Sequence, residues 1–171
     1  SEVVFVLPNN KNIIMAAQQC VGLSEKEVIV VPTATVPQGI SAMMSVDPEE
    51  PDAQNVLRAM TDAASNVTTA QITYAARDSD FDGFAIHQGD YLALEDGKLF
   101  GTDRSIEPLL AKLAEDAKAR SAEFVTIFYG EDVTEEDARK AEAVFTDTCP
   151  DAEVSVLAGG QPVYYYIVSI E

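Results

Sequence analysis

The sequence has no tryptophan, one histidine (His87) and two cysteines, Cys20 and Cys149. One histidine and two widely separated cysteines cannot supply the ligand spacing of a zinc site, nor do they form a secreted disulfide framework. His87 has no nucleophile-elbow sequence to serve, which removes the usual hydrolase triad. Neither G-x-G-x-x-G nor G-x-x-x-x-G-K-[ST] occurs, so no backbone cradle for nucleotide phosphates is evident. No apolar run approaches the roughly 18–20 residues of a membrane span, and no signal-peptide pattern is present. A cytoplasmic protein without membrane insertion is expected. Cations are scarce too: 11 Lys and Arg stand against 29 Asp and Glu, a formal net charge of −18. Such a surface repels nucleic acid and anionic lipid and steers a basic protein partner.

What is present is ordinary globular material. The 171 residues are 47% hydrophobic and 23% charged, enough for one domain or two small lobes without metal or disulfide staples. The chain runs from Ser1 straight into the apolar stretch Val3–Leu7 and ends on one, Tyr164–Ile170. Because termini are usually loose, an excised piece of a longer polypeptide, lacking upstream material, is expected.

The patterning predicts an α/β fold. Val3–Leu7 and Val28–Val31 read as strands flanking a helix over about 11–21, whose apolar face is Ile13, Ala17, Cys20 and Val21. A short helix is expected over about 38–45, and another carries Val56, Met60, Ala63 and Ala64. Val67–Ala76 reads as a long strand, and Asp96-Gly97 as a hairpin turn between Tyr91–Leu94 and Lys98–Phe100. Ile106, Leu109, Leu110, Leu113 and Ala117 stripe a helix. Phe124–Phe128 is a buried strand, and Thr134–Asp137 opens a further helix with Ala138, Ala141, Val144 and Phe145 inward. Val154–Leu157 and Val163–Ile170 close the sheet. The expectation is two small α/β lobes with mainly parallel sheets, over 1–76 and 102–171, joined by a β-hairpin-rich connection over 77–101.

Few motifs carry chemistry. Asp78-Ser79-Asp80-Phe81-Asp82-Gly83 matches the opening of an EF-hand loop, but the twelfth position, which needs a bidentate Glu, is Gly89. An acidic connecting turn is the better reading. Asn9, Asn10 and Lys11 lie between a strand and a helix start, where α/β folds bind ligands, or where asparagine simply caps the helix. Carboxylates gather in three loop regions: Asp47, Glu49, Glu50 and Asp52; Asp78, Asp80 and Asp82; and Glu131, Asp132, Glu135, Glu136 and Asp137. The residues therefore describe an acidic binding module without a convincing catalytic constellation.

Several short motifs in order extend this reading. Val4–Ile13, Val31-Pro32-Thr33, Val36–Ile40, Thr73–Asp78, Tyr129–Val133 and Gly159–Tyr164 resemble the carboxy-terminal domain of the catalytic chain of bacterial fatty acid kinase, a dihydroxyacetone-kinase-like family. The resemblance spans nearly the whole chain. It implies a DegV-like fold, with another strand and helix upstream of residue 1. It also places ATP, magnesium and the catalytic residues on other domains of the same polypeptide, leaving this fragment without cofactor, metal or enzymatic activity of its own. The implied role is to dock a DegV-like fatty-acid-binding subunit through an acidic groove that takes a basic wedge, so that the kinase domain can form acyl-phosphate. The partner-binding candidates are Glu131, Asp132, Glu135, Asp78, Asp80 and Asp82. The alternative is a domain that itself holds a fatty acid or other small ligand, with Asn9, Asn10, Lys11, Gln38 and Gln161 as candidates. The fold relatives grip the carboxylate with a glycine-rich His-x-Gly-Pro-Gly stretch; Gly159–Tyr166 here has no histidine and three tyrosines.

Overall fold

The computed structural model describes residues 2–81 and 83–171. Two compact units, Ser1–Val67 and Thr68–Glu171, divide the chain.

The first unit contains β1 (Val3–Val6), α1 (Ile14–Cys20) with a 3-10 turn after it (Val21–Leu23), β2 (Glu27–Val30), α2 (Val36–Met44) and α3 (Ala53–Ser65). β1 and β2 pair in parallel, Val3 opposite Glu27 and Val6 opposite Val30. Thr35 and Asp52 start α2 and α3 by accepting hydrogen bonds from the Gln38 and Gln54 amides, which satisfies donors a helix start otherwise leaves open. The core is small: Val31, Ala42, Val56, Met60 and Ala64 are buried, with Phe5, Leu7, Val46 and Leu57 packed around them. The expected inner face of α1 is not buried; none of its residues is. Its apolar spacing is genuine, but among the described residues nothing of this unit packs over it closely enough to bury it.

The second unit contains β3 (Thr68–Tyr74), β4 (Ser79–Phe81), β5 (Phe84–Ile86), β6 (Tyr91–Glu95), β7 (Lys98–Asp103), α4 (Glu107–Ala119), β8 (Phe124–Tyr129), α5 (Glu135–Thr148), β9 (Glu153–Ala158) and β10 (Tyr166–Ile170). Six strands form one sheet in the order β7-β6-β3-β10-β8-β9, while β4 and β5 make a separate hairpin. Alternate residues of the sheet, among them Ile72, Val125, Ile127, Tyr166 and Val168, share a continuous core with Leu109, Leu110 and Leu113 of α4 and Phe145 of α5. Asp96 and Gly97, with φ of 47° and 78°, make the β6–β7 turn in the left-handed conformations such hairpins require.

Two expectations change. The α/β character stands, but among the described residues parallel pairing is confined to β1–β2 and β8–β9; β3, β6, β7, β8 and β10 are otherwise joined antiparallel. The boundary also moves. Residues 68–76 and the hairpin of 77–101 do not form the end of one lobe and a separate connection, because β3 lies between β6 and β10 in the middle of the larger sheet.

Candidate functional site

The acidic segment after β8 is the best-defined feature of the second unit. Thr134 caps α5, accepting from the Asp137 amide, and Glu135, Glu136 and Asp137 fill the first helical turn. Negative charge there is favoured by the helix dipole. These three carboxylates are also locally neutralised: Arg139 lies 3.5 Å from Glu135, and Lys140 lies 3.1 Å from Glu136 and 3.0 Å from Asp137. Lys140 and Thr134 together hold the Asp137 carboxyl below its usual range. Glu131 and Asp132 differ. Both are exposed, and neither side chain has an ion pair or hydrogen bond among the described residues.

Backbone contacts fix the loop that presents them. The Gly130 amide donates to the Tyr165 carbonyl at 2.9 Å and the Glu131 amide to the Gln161 carbonyl at 3.1 Å. The Gln161 side chain donates to the carbonyls of Phe128, at 3.0 Å, and Tyr164, at 3.3 Å. A Cβ at position 130 would run into the carbonyl oxygens of Tyr164 and Gln161, so only glycine allows this approach. Val163 stands at φ 72°, and the Tyr164 amide donates across it to Pro162 at 2.8 Å. That is a γ-turn of the rare, strained hand, on a β-branched residue. Thr73 Oγ1 donates to the Val163 carbonyl at 2.9 Å and helps hold it. Gln161, a ligand candidate from sequence, is thus a brace for the Glu131–Asp132 loop.

Beside this loop is a cavity of about 300 Å³ whose lining includes Tyr91, Glu107, Asp132, Asp137, Lys140, Tyr165 and Tyr166. Tyr165 meets Tyr91 edge to face at 5.4 Å between ring centroids and Tyr74 at 6.2 Å. Burial, with neighbouring Asp137 and Glu107, pushes the Tyr166 hydroxyl up to about 12, so it stays protonated at neutral pH. Sequence reasoning missed this tyrosine wall; the run Tyr164-Tyr165-Tyr166 was the signal for it, but only Tyr166 belongs to β10, and the path of the segment before the strand places Tyr165.

The other candidates are placed elsewhere. Asn9 takes a left-handed conformation, φ 54°, and its amide donates to Thr33 Oγ1 at 3.1 Å. Its side chain lies against Gly39, where a Cβ would collide with it, and its Oδ1 is buried without a hydrogen-bond partner among the described residues. Leu7, Asn9, Gly39, Ile40, Met43 and Met44 line an open apolar groove of about 370 Å³. Gln38 is used structurally, its Oε1 accepting from the Ala34 amide at 2.7 Å, and Asn10 Oδ1 accepts from the Asn12 amide at 2.9 Å. Lys11 is exposed. Asn9, Asn10, Lys11 and Gln38 therefore belong to the first unit and Gln161 to the second.

In the β4–β5 hairpin, Asp78 Oδ1 accepts from the Gln88 amide at 2.7 Å and Asp80 Oδ1 from the Gly83 amide at 2.9 Å. These two carboxylates organise the turn. Asp82 lies outside the described residues. Among the described residues, no group of three or more His, Cys, Asp or Glu is placed to hold a metal ion, and no helix is long and apolar enough to cross a membrane.

A two-unit α/β protein with this mixed sheet has the DegV fold. The chain superimposes on a DegV family protein from Corynebacterium glutamicum with a TM-score of 0.72 at 15% identity, covering 99% of this chain and 74% of that one. A DegV family protein from Eubacterium eligens, loaded with heptadecanoic acid, matches at 0.70 and 18%, covering 100% and 73%. The Streptococcus pneumoniae Fatty Acid Kinase (Fak) B3 protein, loaded with linoleic acid, matches at 0.66 and 9%, covering 100% and 72%. The family model for the FakA-like carboxy-terminal domain of fatty acid kinase matches residues 1–171, and the chain belongs to that family. It is 37% identical over 171 residues to protein YloV of Bacillus subtilis (strain 168), a match covering 100% of this chain and 31% of that protein. It is 33% identical over 166 residues to an uncharacterized protein of Staphylococcus aureus (strain USA300), covering 97% and 30%. The chain thus spans less than a third of the length of these relatives.

Proposed function

We propose that this domain is the non-catalytic docking module of a fatty acid kinase: its acidic face receives a separate DegV-like fatty-acid-binding subunit, and phosphoryl transfer takes place on other domains of the longer polypeptide. One observation carries the reading. Glu131 and Asp132 are held out on a braced loop without compensating cations among the described residues, while the carboxylates of the following helical turn are paired locally. A fixed, unneutralised acidic edge is an electrostatic guide for a basic partner. The net charge of −18 agrees with it. ATP and magnesium belong, on this reading, to the kinase domain.

The alternative, a domain that itself holds a fatty acid, draws support from the apolar groove beside Asn9 and from the fold. Organic extraction of the purified protein followed by mass spectrometry separates the two: a stoichiometric fatty acid would favour it.

Docking predicts a complex in sedimentation velocity with the fatty-acid-binding subunit that dissociates as salt rises, since the Debye length is already about 8 Å at 0.15 M. Neutralising Glu131→Gln and Asp132→Asn together should slow association more than it speeds dissociation. An unchanged association rate would remove this loop from the docking face.

A further inference from the structure

The cavity beside the acidic loop has a chemistry more specific than negative charge. Tyr166 is 3% exposed and lines the cavity, its hydroxyl feels the charges of Asp137, Glu107 and Lys140 on the same lining, and it has no hydrogen-bond partner among the described residues. A buried phenol left open to a cavity is an unfilled hydrogen-bonding position. Asp132 at the same cavity is likewise unpaired among the described residues, and Glu107 adds a further carboxylate. The lining's one cation among those residues, Lys140, is already engaged by Glu136 and Asp137. The rest of the wall is the Tyr165–Tyr91 pair together with aliphatic side chains such as Leu110 and Val144.

An occupant must therefore bring positive charge, several donors, a face that stacks on tyrosine, and an aliphatic stem for the apolar wall. A carboxylate or phosphate head is opposed by the three acidic side chains. An ammonium is compact and strongly hydrated, whereas a guanidinium is planar, weakly hydrated, stacks on aromatic rings and grips carboxylates through two donors. We propose that this cavity is a socket for one arginine side chain of the protein that docks on the acidic face. The identity of that protein rests on the docking reading above; the socket's preference for a guanidinium rests on the cavity.

The test has two arms. In the first, N-acetylarginine amide is titrated into the 171-residue chain and followed through its amide NMR shifts. Saturable changes centred on Val133, Tyr165 and Tyr166 are expected, and they should be absent with N-acetylnorleucine amide. The absence of an arginine-specific response at these residues overturns the socket. In the second arm, calorimetry measures binding of the fatty-acid-binding subunit of the same organism to the wild-type chain, Tyr166→Phe and Asp132→Asn. Each variant should bind about tenfold more weakly, the usual scale for losing one hydrogen bond to a charged group. Full affinity in both variants overturns the socket and leaves docking intact. A positive first arm with no binding of that partner by wild type supports the socket and overturns docking by the fatty-acid-binding protein.

Discussion

The two units solve the burial problem differently. The second unit builds a six-stranded sheet and covers one face with two helices, so that Leu109, Leu113, Ile127, Val168 and Phe145 are all at 0% exposure. The first has a two-stranded sheet, a small buried core, and apolar side chains left at its surface: Met15 is 70% exposed, Met44 82% and Leu23 85%. A two-stranded sheet is marginal unless helices pack on it, and here α2 and α3 supply that packing. The acidic loop and its cavity sit on the well-buried unit. Fixed electrostatics need a rigid support, because charges on a mobile loop lose their geometry to entropy.

This contrast can be tested from the strongest effect downward. Phe145→Ala empties a 0%-exposed position of the second unit and should cost about 3–5 kcal/mol, while Met60→Ala in the first should cost about 2–5. Urea unfolding followed separately for reporters in each unit checks this. If each substitution moves only its own unit's transition, the units unfold independently; if either moves both equally, they form one cooperative block.

Gly130→Ala is expected to be costly for its size. Its methyl group meets the backbone oxygens of Tyr164 and Gln161, which cannot swing away as a side chain would. A loss of about 1–3 kcal/mol, typical of overpacking, is expected, together with weaker partner binding. Normal stability in thermal unfolding would show that the loop yields and does not brace Glu131 and Asp132. Val163→Gly is the converse. At φ 72° valine is strained, and relief of such backbone strain is worth about 1–3 kcal/mol, offset in part by glycine's greater freedom when unfolded. A small rise in melting temperature is expected, and a fall would place the strain elsewhere.

The smallest effect concerns pH. Glu95 lies 2.7 Å from Arg120, yet its carboxyl is raised above the ordinary carboxylate value, first by burial and then by the neighbouring Asp116 carboxylate, with Arg120 opposing. A carboxyl raised on folding binds its proton more tightly when native. Its stabilising contribution is complete below the ordinary value and is lost as pH rises through the raised one. Glu95→Gln, a mimic of the protonated form, should flatten stability in that window. A profile identical to wild type in urea midpoints across pH would assign the dependence to other groups.

Much of this was legible locally. The cap at Thr134, the turn at Asp96-Gly97, the stripe from Ile106 to Ala117, and the strands at Val3, Val28 and Phe124 are short-range signals, and each is where the spacing put it. Strand direction was not. β3 finds β6 and β10 as neighbours, and antiparallel pairing between distant segments leaves no mark in either one. The apolar spacing of α1 predicted a buried face because periodicity reports which face is apolar, not whether anything covers it.

The same division holds at the site. Composition determined an acidic protein with too few histidines and cysteines for the ligand spacing of a zinc site, and short motifs in order determined the family. Which carboxylates stay unpaired was decided only in three dimensions. Helical spacing brings Arg139 and Lys140 back onto Glu135, Glu136 and Asp137, while Glu131 and Asp132, on the loop braced through Gly130 and Gln161, form no ion pair among the described residues. Only the fold brought Tyr165 and Tyr166 to one cavity: Tyr166 opens β10 while Tyr165 lies in the segment before it, where the face-to-face alternation of a strand does not apply.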